Sequence, residues 1–169
     1  PASAQERVPS ASRRAHVAPV APSPQETSDD REPITRRPHE STKQIRVLIA
    51  DDHAMVRQGL CGLLAGYGDI LVVAEAANGS DALALAKQCQ PDVVLMDVNM
   101  PVMDGIEATR RIKETLPDTI VIGLSVQTIA HVGHEMREAG AVAFLNKEAA
   151  VEDLYQTIQT ARKELLSRS

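Results

Sequence analysis

Five short apolar runs, rich in β-branched residues, recur from residue 45 onward: IRVLIA at 45–50, ILVVA at 70–74, VVLMD at 93–97, IVIGLS at 120–125 and AVAFL at 141–145. Each starts more than 20 residues after the one before. That interval holds one helix and two short loops, which is what parallel strands need for their crossovers. The intervening segments carry helical stripes. Val56, Leu60, Leu63 and Leu64 form one, and Ala82, Leu85, Ala86 and Cys89 a second. Val132, Met136 and Ala139 form another, and Val151, Leu154, Tyr155 and Ile158 the last. Between strands three and four, Asp104 is placed to cap a helix with Glu107 three positions on, its inward face being Thr109, Ile112 and Leu116. Strands apolar on both faces are covered on both faces. The pattern predicts an α/β domain of (βα)5 form, a parallel five-stranded sheet between two helix layers.

Residues 1–43 differ in kind. They hold seven of the ten prolines, no aromatic residue and dispersed charge, so they bury too little apolar surface to offset the entropy of ordering. The expected organisation is a disordered Pro-rich tail or linker at 1–43 and a folded domain at 44–169. The tail has seven basic and six acidic residues, which leaves 11 basic against 17 acidic in the domain, a net charge of −6. An acidic domain has no whole-surface attraction for polyanions, so direct nucleic-acid binding by this segment is not expected. No stretch approaches the ~20 apolar residues of a membrane span, and no secretory apolar run opens the chain. Membrane contact is therefore not expected, and the expected location is the cytoplasm. Cys61 and Cys89 have neither metal-site nor dithiol spacing.

In an open parallel sheet, reactive groups gather beyond the carboxyl ends of the strands. Strand one ends in Asp51-Asp52, strand three in Asp97 and strand four in Ser125, while strand five leads to Lys147. Carboxylates crowded together raise one another's proton affinity unless a cation offsets them. Mg²⁺ does so through one or two carboxylates, a carbonyl and waters, with room left for a phosphoryl oxygen. Asp97, at the end of the central strand, could then act as a carboxylate nucleophile toward phosphorus. Asp51-Asp52 alone would more often be a solvated strand end, and His53 a surface residue of the first helical turn. Co-occurrence of five polar groups at four strand ends favours the functional reading.

VLIADDH, VVLMDVNMPVMDGIEATRRI, IGLS and AFLNK, in this order and spacing, resemble the receiver (CheY-like) domain of two-component response regulators over residues 45–165. The resemblance implies the flavodoxin-like strand order 2-1-3-4-5. It implies Asp97 as the phosphoacceptor, charged by a phosphohistidine on a histidine kinase or histidine phosphotransfer protein. It implies Mg²⁺ held by Asp52, Asp97 and the Asn99 backbone carbonyl, with Asp51 acting mainly through water. Ser125 and Lys147 would hold the phosphoryl oxygens, Ser125 and Phe144 would form the switch, and Asn99 and Gln127 would tune the lifetime of the phosphate. Helix four, strand five and helix five, roughly 131–166, would be the output face. Such a receiver would be a single-turnover phosphoacceptor able to dephosphorylate itself, while a longer parent protein could be a histidine kinase. Two positions depart from the pattern. Val126 follows Ser125 where a small residue is usual, which is expected to narrow access to Asp97, and Glu148 replaces the usual Pro, which predicts a trans bond after Lys147.

Rival chemistries lack their residues. A phosphohydrolase needs a second Asp two positions after the nucleophile, where Asn99 stands. A calcium loop from Asp97 would meet Pro101 and Val102 at ligand and Gly positions, and ADDHAMVRQG lacks a nucleotide-cradling Gly run. A docking module independent of phosphorylation is a further alternative. The chain opens on Pro1 with its Pro-rich stretch on the amino side. That arrangement is the one expected of a receiver at the carboxyl end of a hybrid histidine kinase, tethered by 1–43; a stand-alone or DNA-binding response regulator is the alternative.

Overall fold

The computed structural model describes residues 44–126, 130–148 and 150–168. Strands and helices alternate throughout: β1 (Ile45–Ala50), α1 (Ala54–Ala65), β2 (Ile70–Ala76), α2 (Gly79–Cys89), β3 (Val93–Asp97), α3 (Gly105–Thr115), β4 (Ile120–Ser125), α4 (Ala130–Glu138), β5 (Ala143–Asn146) and α5 (Ala150–Arg168). The strands are parallel and lie in the order β2-β1-β3-β4-β5. Five strands and five helices, alternating in this order, make the flavodoxin-like arrangement.

Period-two alternation divides the strand side chains between two cores. Ile45, Val47 and Ile49 of β1, Val93 and Leu95 of β3, and Ile122 and Leu124 of β4 pack with Leu60 and Leu64 of α1 and Leu154 and Ile158 of α5. Leu48, Val94, Met96 and Val121 turn the other way, onto Ala82 and Ala86 of α2, Ala108 and Ile112 of α3 and Met136 of α4. Each fully buried Leu or Ile contributes about 1.5–3 kcal/mol, so the stripes hold the helices where propensity alone would not. The Val151 side chain lies outside the described residues.

The caps explain where elements begin and end. Asp104 accepts from the Glu107 amide at 2.8 Å, as the spacing predicts. Asn78 caps α2 in the same way, accepting from Asp81. Strand five starts two residues later than its apolar run. The Gly140 amide bonds to Arg137 O and the Ala141 amide to Met136 O, closing α4 in a Schellman turn with Gly140 at φ +107. Ala141 is therefore spent on the cap. Strand two runs two residues further than its apolar pattern, because Glu75 and Ala76 still pair with Ile49 and Ala50.

Candidate functional site

Alternation also decides which strand-end groups meet. Asp97 has the parity of Val93 and Leu95, and Asp51 and Lys147 continue the parity of Ile49 and Leu145, so all three belong to the α1–α5 side. Their contacts agree. Lys147 Nζ lies 2.6 Å from Asp51 Oδ2 and 3.0 Å from Asp97 Oδ2, bridging the two carboxylates. Asp51 is fully buried and Asp97 only 2% exposed. Asp52 is more open and reaches the cluster from the next position. Ser125, also buried, has the opposite parity and shares the α4 side with Phe144.

Burial pushes the Asp97 carboxyl above its ordinary pKa; Lys147 opposes this, while the neighbouring Asp51 charge adds to it. Burial alone would lower Lys147, but Asp51 and Asp97 together raise it. Two buried carboxylates thus share one ammonium. Asp51 Oδ2 is buried, and its contact there is the Lys147 ammonium at 2.6 Å, which it shares with Asp97. Three carboxylates with one ammonium between two of them keep a net negative charge, and hard oxygen donors within 4.8 Å of one another fit a small divalent cation such as Mg²⁺. Asp51, Asp52, His53 and Asp97 are a group whose ligand atoms lie within 4.8 Å of one another.

The loops are pressed into position by neighbouring backbone. A Cβ on Gly105 would stand 2.0 Å from the Asp97 carbonyl oxygen, so only glycine lets α3 start against the end of β3. The Gly105 amide donates to Val98 O at 2.9 Å. Between them, Met103 N bonds back to Pro101 O across Val102, whose φ is +70. This is a strained γ-turn at a β-branched residue. The Asn99 amide faces Asp97 Oδ1 at 3.4 Å.

The other expectations resolve individually. Val126 is 62% exposed at the rim. The Lys147–Glu148 bond is trans, as expected for a non-proline residue. Phe144 is half-buried against Gly123 and Gly133; Cβ atoms there would come within 2.9 Å and 3.2 Å of its ring. Gln127 lies outside the described residues. His53 is exposed, as expected of a surface residue, but stands at the N-cap position one residue before α1 and makes no side-chain capping bond; its Nδ1 lies 2.7 Å from Asp52 Oδ1.

Sequence reasoning overlooked Arg57. Its guanidinium donates to the Asp51 carbonyl at 2.7 Å and pairs with Glu75 at 3.3 Å, tying the acidic loop to α1 and β2. The only signal was a basic residue one turn into the helix after the acidic pair. Among the described residues no helix is long and apolar enough to cross a membrane.

The family model described as the response regulator receiver domain matches residues 47–159. Response regulator GacA of Pseudomonas aeruginosa is 40% identical over 115 residues, 68% of this chain and 54% of that protein. The transcriptional regulatory protein LiaR of Bacillus subtilis is 42% identical over 119 residues, 70% of this chain and 56% of that one. The chain therefore spans about half the length of these relatives. A crystal structure of a DNA-binding response regulator of the LuxR family from Staphylococcus aureus superposes with a TM-score of 0.66 at 29% identity, covering 69% of this chain and 98% of that one.

Proposed function

From the premise that this chain belongs to the response regulator receiver domain family, we propose that it works by accepting a phosphoryl group on Asp97. An Asp97 carboxylate oxygen attacks phosphorus of a phosphohistidine on a histidine kinase or phosphotransfer protein. The phosphorus–oxygen bond forms as the phosphorus–nitrogen bond breaks, and the donor imidazole leaves with the electron pair. Lys147 lies between Asp51 and Asp97 and would transfer its ion pairing to the incoming phosphoryl oxygens. The Ser125 hydroxyl donates to those oxygens from the α4 side. Asp51, Asp52, Asp97 and the Asn99 carbonyl would hold Mg²⁺, which when bound supplies charge neutralisation in the acidic pocket.

The observation that carries this reading is the buried Asp97 carboxylate 3.0 Å from Lys147 Nζ, beside a second buried carboxylate that the same ammonium contacts. A structural ion pair would need one carboxylate; two facing one cation leave negative charge for an ion to balance. The test is transfer of labelled phosphate from a phosphohistidine donor with and without Mg²⁺. Acid-labile label should appear on the wild-type chain only with Mg²⁺ and be absent from Asp97→Ala. Retained label in that variant would refute the nucleophile assignment.

Phosphorylation adds about −1.5 to −2 charge. Ser125 and Phe144 carry the change to α4, β5 and α5, where an output partner is read. For the parent protein, the named relatives favour a transcriptional regulator over a hybrid histidine kinase, since one is called transcriptional regulatory and another DNA-binding. In this reading 44–169 is the cytoplasmic receiver, 1–43 its amino-side tether, and any DNA contact belongs to another part of the protein.

A further inference from the structure

Toward the amino edge of the sheet, opposite the edge that carries Asp97, the two tyrosines of the chain meet face to face. Tyr67 lies in the turn before β2 and Tyr155 on α5; their ring centroids are 3.9 Å apart and the planes 6° from parallel. Neutral aromatic pairs prefer centroids about 4.5–7 Å apart, offset or edge-on, because their electron-rich faces repel. A pair pressed this close suits a missing electron better, since positive charge on one ring then sits against the negative face of the other. The proton that must leave with that electron also has an acceptor. The Tyr155 hydroxyl donates to Asp69 Oδ2 at 3.2 Å, and Gln159 Nε2 holds the same oxygen at 2.6 Å. Burial and the Asp69 carboxylate keep this phenol above its ordinary pKa, so it carries its proton at pH 7. The Tyr67 backbone is fixed on both sides, its amide donating to Leu64 O and its carbonyl accepting from the Ile70 amide. Both rings pack on the core between α1 and α5 yet stay half-buried, within reach of a small oxidant. The chain has no Trp to compete for the electron vacancy.

We propose that Tyr67 and Tyr155 are an oxidative modification site, at which two one-electron oxidations join the rings through a carbon–carbon bond to give dityrosine. The oxidant is a one-electron acceptor of the ferryl-haem class, which takes one electron from each phenol. Tyr155 passes its phenol proton to Asp69, and Tyr67 passes its own to water. The two phenoxyl radicals couple at ring carbons ortho to oxygen, the ring faces already being in contact. The hydrogens on those carbons then move to the two oxygens and restore the phenols, so the pair has lost two electrons and two protons in all. The new bond staples α5 to the turn before β2. It is independent of the chemistry at Asp97 and goes beyond the receiver reading.

The experiment uses the full 169-residue chain as wild type, Tyr67→Phe, Tyr155→Phe and Asp69→Asn. Each is exposed to tris(bipyridyl)ruthenium, persulfate and light, which generate a small one-electron oxidant. Dityrosine emission and mass spectrometry of digests follow the product. Wild type should give a peptide joining Tyr67 to Tyr155, lighter than its two parts by two hydrogens, in a yield unchanged by dilution of the protein. Either Phe variant keeps a ring in the stack and should give none. Denaturing urea should lower the yield several-fold, and Asp69→Asn should slow the reaction several-fold. Linked chains should unfold at higher urea concentration than unlinked ones, because the bond restricts the unfolded chain. No dityrosine in wild type, oxidation confined to Cys61, which packs in the same cluster, or a yield that rises with protein concentration would overturn the site. A yield undiminished in urea, or earlier unfolding of the linked chains, would overturn formation within the native stack. An Asp69→Asn rate equal to wild type would overturn the proton path.

Discussion

Asp97 and Gly105 form one mechanical unit, although eight positions separate them. The Asp97 carbonyl occupies the space a Cβ on Gly105 would take, so Gly105→Ala must push α3 away from the strand end that carries Asp97. Overpacking against backbone typically costs about 1–3 kcal/mol. Urea unfolding should show a loss of that order, and Mg²⁺ affinity should fall with it because the loop holding Asp97 moves. The carboxylate itself has a different signature. Its pKa is raised by burial, so the folded state binds the proton more tightly than the unfolded state does. Stability from this group is therefore present below the ordinary aspartate pKa, about 3.9, and declines as pH rises through the higher folded value. In chelator, Asp97→Asn should unfold at higher urea concentration than wild type at pH 7, and the difference should vanish in acid, where Asp97 is protonated in both states. An unchanged difference across that range would show that burial does not set the Asp97 titration. At this scale the polar strand ends were legible in the sequence because each is one residue of a type rarely left buried. Arg57 was not, since a guanidinium reaching back to a loop carbonyl leaves no periodic trace.

The helices and strands were legible wherever apolar spacing determined them, and boundaries failed where a cap competed. AVAFL predicts a strand from Ala141, but Ala141 and Gly140 donate to Met136 and Arg137 carbonyls and end α4 instead. A single glycine at φ +107 makes that possible, and Gly140→Ala would place a Cβ in the left-handed region and 2.8 Å from Lys113 Cγ. The strain is about 1–2 kcal/mol before any clash. Thermal unfolding should register a loss of at least this size, with hydrogen exchange speeding first at the end of α4, because the Schellman bonds are the ones released. Val102 shows the opposite failure. A turn at φ +70 is ordinarily read from Gly or Asn, and a β-branched residue is the last that sequence reasoning would put there. Pro101 on one side and the Gly79–Met103 and Gly105–Val98 backbone bonds on the other impose it. Tertiary context overrides local preference beside the site, where strain is most often retained.

Across the molecule, a phosphoryl group received on Asp97, as proposed, would have to make its charge felt at a surface on α4, β5 and α5. Sheet parity supplies a route. Ser125 and Phe144 lie on the same side of the sheet, and the Phe144 ring fills a slot whose walls are Gly123 of β4 and Gly133 of α4. Two residues without side chains leave the ring room to change its seating, and any such change must alter how α4 rests on the sheet. This part of the site was only half legible: the position of Phe144 could be read from AFLNK, but its two glycine walls come from separate elements with nothing in their spacing to link them. Context beyond the domain was least legible: the Pro-rich stretch suggested a hybrid kinase, whereas a relative matched over about half its length is called a transcriptional regulatory protein. The coupling itself has a direct readout, because Phe144 is the one phenylalanine in the chain. Incorporating 4-fluorophenylalanine yields one ¹⁹F resonance. Adding Mg²⁺ with beryllofluoride should shift it or split it into two exchanging populations, and the response should be absent in Asp97→Asn. A populated second seating within a few kcal/mol of the first would let a coupling of about 1–3 kcal/mol change partner affinity several-fold or more. A resonance that stays put while the anion binds at Asp97 would show that the ring takes no part in transmission, and that the output face responds through the β4–α4 backbone alone.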